Sequence, residues 1–318
     1  MEKLACRKAF SRTLLELGRK NKNIYAVTSD ARGSVTINEF ARELPDQLIE
    51  CGIAEQNEIG VAAGMALAGK TVFVCAPAPF LSARSYEQIK LDAVYNRTNV
   101  KICGVSGGVS YGTLGTSHHS LQDIAAARCL NGLTVLVPSD AVQTRWLTGW
   151  MAENQGPVYM RMGRSDVPVL YAPDQQFAVG KAPELCPGRD LTILACGEMV
   201  APAVEASNLL AERGIHARVL DLFSIKPLDT EAVLRAARET GCLLTVEEHS
   251  IYGGMGGMIA EFTAQNCPVP MKIMGLPDAH TYPGESPDVF SYYGLTAQGI
   301  AAEAEAHHNQ EYPSDSDD

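Results

Sequence analysis

Two doubly wound α/β domains are the fold this sequence predicts, and three observations predict it. Short apolar, β-branched runs alternate with helical segments along most of the chain, the rhythm of parallel sheets wrapped by helices. That rhythm breaks once, over residues 170–189, where three prolines and two glycines interrupt any periodicity. The length of 318 residues, with 46% hydrophobic and 20% charged residues, suits two cores of ordinary size.

Taken in order, Leu4, Phe10, Leu14 and Leu17 line one face of an opening helix that Gly18 ends. Residues 24–28 and 47–51 read as strands, followed by a small-residue helix over 54–68. Further β-rich runs lie at 71–75, 100–105, 133–137 and 158–161, with helices predicted at 85–94, 121–130 and 141–153. Residues 1–170 thus form a first domain, and 171–189 a linker. The rhythm resumes with strands at 191–196, 217–221, 243–247 and 271–275, a second and smaller domain over 190–306. The acidic, Ser/Pro-bearing tail 307–318 reads as disordered.

The formal net charge of −11, without a long Lys/Arg run, argues against nucleic acid as a partner. Nine scattered cysteines show no Cys-x-x-Cys spacing, and no apolar run is long enough to span a bilayer. Free thiols, no membrane partner and a cytoplasmic location are the expectation.

The strongest local signal is Gly52-Ile53-Ala54-Glu55-Gln56-Asn57, where a strand gives way to a helix of small residues. Ligands of open parallel sheets bind outside the carboxyl ends of strands, so Glu55 lies in the right kind of place. From position alone, complementing the helix dipole explains it better. The string nevertheless resembles the central motif of the transketolase and deoxyxylulose-phosphate synthase families, whose glutamate hydrogen-bonds the pyrimidine of thiamine diphosphate. The resemblance implies a catalytic Glu55 that exchanges a proton with the ring nitrogen.

Other segments extend the likeness over about residues 3–305, in order. Cys6-Arg7-Lys8 resembles a phosphate-binding arginine segment; Ser29-Asp30 with Ser34 resembles a cofactor-side Asp and a substrate-phosphate serine. Pro79-Phe80-Leu81, with Arg84 and Tyr86, resembles the aromatic stretch against the aminopyrimidine. Gly115-Thr116-Ser117-His118-His119 is similar to a substrate loop, and Arg161-Met162-Gly163-Arg164-Ser165 to a closing arginine segment. Ile225-Lys226-Pro227-Leu228-Asp229 and Val246-Glu247-Glu248-His249 resemble the transketolase C-terminal domain. By residue type alone, Phe80 and Tyr86 serve equally as core rings, and Arg7 and Arg164 as solvated charges. His118 and His119, on a Gly-rich loop before a helix, are harder to explain structurally.

What the resemblance implies is a thiamine-diphosphate pyrimidine-binding domain followed by a transketolase C-terminal domain. Phe80, Tyr86, Arg84 and Asp30 would face the cofactor. Arg7, Ser34 and Arg164 would hold a substrate phosphate, and His118 would serve as substrate base beside His119 and Leu114. Two departures qualify this: Thr113-Leu114 stands where ordinary transketolases carry Glu-Asp, and Ser106 where they carry a histidine. Both point to sugar phosphates other than the standard donor. The chain has no Gly-Asp-Gly, the family's metal and diphosphate motif. Mg²⁺ (or Ca²⁺) and the diphosphate would therefore be held by a partner N-terminal transketolase subunit in a heterotetramer. The rival readings are the β chain of a 2-oxo-acid dehydrogenase, a deoxyxylulose-phosphate synthase-like enzyme, and an inactive scaffold.

Overall fold

The computed structural model describes residues 2–311. Its larger sheet has seven strands in the spatial order Ser224–Lys226, Thr134–Leu136, Val158–Met162, Val100–Val105, Thr71–Pro77, Ile24–Thr28 and Leu48–Glu50. All neighbours are parallel except the first pair. Every residue of the central strand Val100–Val105 is buried, as expected of a sheet covered on both faces. Even Lys101 is enclosed there; its ammonium donates to the Asn154 and Gly156 carbonyls at 2.8 and 2.7 Å, and burial pushes its pKa down to about 8.

The smaller sheet runs Met271–Leu276, Leu243–Ser250, Leu191–Ala195, Ala217–Asp221 and Glu184–Cys186, with only the last strand antiparallel. One strand departs from the expected partition. Ser224–Lys226, from the second domain's sequence, crosses back to pair with Thr134–Leu136 at the edge of the larger sheet. The linker is packed too. Phe177 is buried edge-on against Trp146, Tyr171 and Phe223. Asp221 receives hydrogen bonds from Ser139, Gln143 and Tyr171 across the seam.

Three helical boundaries also differ. The helix expected over 85–94 begins earlier, as Ala78–Arg84, because Pro79 suits a first turn where its missing N–H is not needed. A π-helical segment, Ile89–Tyr95, then completes it. The helix expected over 121–130 is confined to Asp123–Arg128. The tail expected to be disordered from residue 307 instead continues the helix Ala297–Glu311, in which His307 is buried; residues 312–318 lie outside the described residues.

The Gly253–Gly257 run is used for packing. Glu247 accepts from the Met255 and Gly256 N–H groups at 2.7 and 2.8 Å, so a side chain already occupies this helix start. A Cβ on Gly256 would meet Ile273 and Thr245 at 2.6 Å.

Candidate active site

Gly52, at φ 67°, turns the chain between the strand Leu48–Glu50 and the helix Glu55–Leu67. Glycine takes that conformation without strain, and the turn sets the helix start at the carboxyl end of the sheet. Glu55 is 4% exposed. Arg84 Nη1 donates to both its carboxylate oxygens, at 2.9 and 3.1 Å. The half-exposed Arg84 guanidinium also lies 4.3 Å over the Phe80 ring.

From Phe80 a line of contacts runs across the sheet ends. Phe80 meets the His118 ring edge-on at 5.1 Å, and His118 meets Tyr111 at 5.3 Å. The Arg164 guanidinium lies 4.6 Å over Tyr111 and donates to Ser106 Oγ at 3.3 Å. Arg7 is close enough to Arg164 that their charges repel. Burial first and then that repulsion hold the Arg7 pKa below its ordinary value. Arg7 Nη1 donates to Ser34 at 2.9 Å, through the serine's carbonyl rather than its hydroxyl, while Arg7 Nε is buried without a partner. Two guanidiniums close enough to repel, one with an unpaired buried donor, are suited to receive an anion.

The structure brings together seven of the eleven expected residues: Glu55, Arg84, Phe80, His118, Arg164, Arg7 and Ser34. Leu114 sits nearby on the loop and is 55% exposed. The other three fall elsewhere. Tyr86, half-buried, packs against the domain core, and its hydroxyl donates to the Ala126 carbonyl at 3.0 Å, outside the line of contacts. His119 turns inward and hydrogen-bonds the Gly112 carbonyl at 3.1 Å. Burial lowers the His119 pKa, which leaves it a neutral brace for the loop. Asp30 lies on an exposed turn at φ 53°, where its N–H donates to Glu50 at 2.6 Å, outside the line of contacts.

Three residues that no motif announces join the site. Tyr111 links His118 to the arginines. Glu58, one turn beyond Glu55, is fully buried. Burial pushes its pKa up to about 8, so at neutral pH it adds no second negative charge beneath Glu55. Glu198, from the second domain, accepts from Ser165 N–H at 3.2 Å beside Arg164.

A buried carboxylate at the strand ends of an α/β fold thus stands at one end of a line of rings, with two arginines at the other. Residues 2–169 match the transketolase pyrimidine-binding domain and residues 180–300 the transketolase C-terminal domain. The chain is 53% identical over 302 residues to a subunit of the apulose-4-phosphate transketolase of Phocaeicola vulgatus, covering 95% of this chain and 96% of the relative. It is 38% identical over 291 residues to a 6-deoxy-6-sulfo-D-fructose transketolase subunit of a Clostridium species, covering 92% and 90%. A solved structure described as a split-gene transketolase, inactive β4 tetramer, superposes with a TM-score of 0.87 at 38% identity, covering 96% of this chain and 98% of that one. The chain belongs to the transketolase family, as a subunit of a thiamine-diphosphate-dependent transketolase.

Proposed function

We propose that this chain, assembled with a complementary subunit, transfers a two-carbon ketol unit between sugars that carry a phosphate at the far end. The observation that supports the reading most directly is the Arg7–Arg164 pair with its unpaired buried donor. A phosphate carries about −1.5 to −2 charge at pH 7, which two guanidiniums can offset between them. The Phocaeicola vulgatus relative is named for a sugar phosphate, and the Clostridium relative for a sulfo-sugar.

The chemistry of the Glu55 pocket fits the pyrimidine of thiamine diphosphate. It offers one buried carboxylate met from the open side by Arg84, the Phe80 ring beside it, and a Glu58 that burial leaves largely neutral at pH 7. When bound, thiamine diphosphate supplies the carbanion chemistry that breaks and remakes a carbon–carbon bond. Glu55 would hold and exchange a proton with the pyrimidine, and Arg84 would orient the Glu55 carboxylate. His118, steadied between Phe80 and Tyr111, takes the proton of a substrate hydroxyl.

The diphosphate and Mg²⁺ (or Ca²⁺) are assigned to the partner subunit, with the complex a heterotetramer. Ile53, two residues before Glu55, is 75% exposed and Leu114 55%. Two apolar side chains left in water at the rim of the site fit a surface that a partner covers. No disulfide joins the cysteines of the described residues, which suits a cytoplasmic setting.

Arg164→Ala tests the anion site. In the assembled enzyme it should raise KM for phosphorylated acceptors by roughly 10- to 150-fold, the scale of one charged hydrogen-bond partner. The loss on acceptors without an anionic end should be far smaller. Equal losses on both would give Arg164 a structural job instead. Leu114 makes a separate prediction about the donor, because an apolar side chain cannot read a hydroxyl. The Asp that Leu114 replaces would read the hydroxyl beside the bond being cleaved, so in a donor panel xylulose phosphate should turn over more slowly than a ketose whose binding does not depend on that hydroxyl's configuration. Preference for xylulose phosphate would count against any role for Leu114 in choosing the donor.

A further inference from the structure

The second domain supplies no residue to the line of contacts from Glu55 to Arg7, yet two of its buried carboxyls hold the loops that carry the anion site. Glu198, 8% exposed, follows the strand Leu191–Ala195 and accepts from the Ser165 N–H at 3.2 Å. Gly163, on the same loop, has no room for a side chain, because a Cβ there would fall on the Glu198 carboxylate. Arg164 lies between these two attachment points. On the other arm, Glu248 accepts from the Val109 N–H at 2.7 Å, and Ser286 donates to the Val109 carbonyl at 3.0 Å. That segment leads from Ser106 to Tyr111, the two groups Arg164 touches.

We infer that Glu198 is a positioning residue for substrate-anion binding: from the second domain it fixes the Gly163–Ser165 loop so that the Arg164 guanidinium faces Arg7, with Glu248 bracing the opposite arm. The inference rests on the reading of Arg7 and Arg164 as the anion site and extends it to the domain that carries no other part of that site. A long, flexible side chain such as arginine loses affinity when its backbone can wander, since each binding event must then order it.

Charge adds a second consequence. Glu198 is faced by Cys6 and Arg7 of the opening helix, by Arg161 on the strand before its loop, and by Glu248. Burial pushes its pKa up to about 7, against the opposing pull of its Ser165 hydrogen bonds and of Arg161 and Arg7. A neutral Glu198 still accepts from Ser165, but an ionised one places a negative charge beside Arg7. Binding of an anion should therefore weaken as pH rises through about 7, over and above the titration of the substrate's own phosphate.

The experiment is steady-state kinetics of the assembled enzyme with a phosphorylated acceptor and an uncharged one. Glu198→Ala should raise KM for the phosphorylated acceptor about tenfold, with kcat within about twofold and the uncharged acceptor little affected. Glu198→Gln, which keeps the acceptor oxygen, should restore KM near pH 6 and abolish the extra rise of KM with pH. Gly163→Ala approaches the same contact from the other side and should reproduce the Glu198→Ala effect even if that variant folds poorly. Unchanged KM in both Glu198→Ala and Gly163→Ala, alongside a large rise in Arg164→Ala, would overturn the positioning role and leave the anion site standing. No rise in Arg164→Ala would remove the site and the inference together.

Discussion

Glu55→Gln should leave the chain folded and assembled while turnover falls by about two to four orders of magnitude, the scale of removing a positioned acid–base group. Glutamine has nearly the same size, so the helix start after Gly52 keeps its shape. The ion pair with Arg84 is lost, but Arg84 is half exposed and its charge remains solvated, so the cost to stability is small. An amide can hydrogen-bond a ring nitrogen and cannot pass it a proton. Cofactor affinity should therefore drop only modestly, through loss of one charge-assisted hydrogen bond. Exchange of the proton on the cofactor's reactive carbon for deuterium should slow in step with turnover. Wild-type exchange in the variant would reduce Glu55 to a carboxylate that complements a helix dipole.

The place of Glu55 was legible because its signal is local, while its role came only from the family resemblance. A strand end, a glycine and a run of small residues place a carboxylate at a helix start whatever the rest of the fold does. The paired arginines were legible as types but not as a pair, since Arg7 and Arg164 are distant in sequence and meet only through tertiary packing. Tyr86 shows the limit of reading rings from sequence. By residue type an aromatic on an amphipathic helix serves a core or a ligand equally, and only the fold shows that the half-buried Tyr86 ring rests on the domain core. Glu58 and Glu198 could not be read at all. A buried carboxyl has no sequence pattern, and its meaning depends on what encloses it.

Element boundaries failed for similar reasons. Ser224–Lys226 is too short to reveal its partner, and only the docking of the second domain lets it extend the first sheet. The tail from residue 307 looked polar enough to be disordered, yet over 307–311 it continues the helix Ala297–Glu311, whose Ile300, Ala301, Ala304 and His307 bury one face.

The seam between the domains gives the second large effect. Arg161, on the strand Val158–Met162, is buried with its Nε 3.2 Å from Asp123, and its Nη2 donates to the Glu248 carbonyl at 2.6 Å. Burial opposes the guanidinium charge, but Asp123 and Glu248 more than offset it, so the Arg161 pKa lies above its ordinary value. Arg161→Met fills a similar volume and strands those carboxyls. Removing one partner of a buried pair costs about 3–5 kcal/mol, and chemical denaturation of the chain should show a loss of that order. The cost should depend on pH with a definite sign. Burial first, and then Glu198, raise the Glu248 pKa to about 8, and without Arg161 it would rise further. A carboxyl whose folded pKa is raised gives stability that is complete below its unfolded pKa, and that stability is lost as pH rises through the folded value. The variant should therefore be penalised more at pH 8.5 than at pH 6. Asp123→Asn added to Arg161→Met should recover part of the loss, because one uncompensated charge is then gone. A single variant as stable as the wild type at pH 8.5 would mean that Arg161 is not the counter-ion holding this seam.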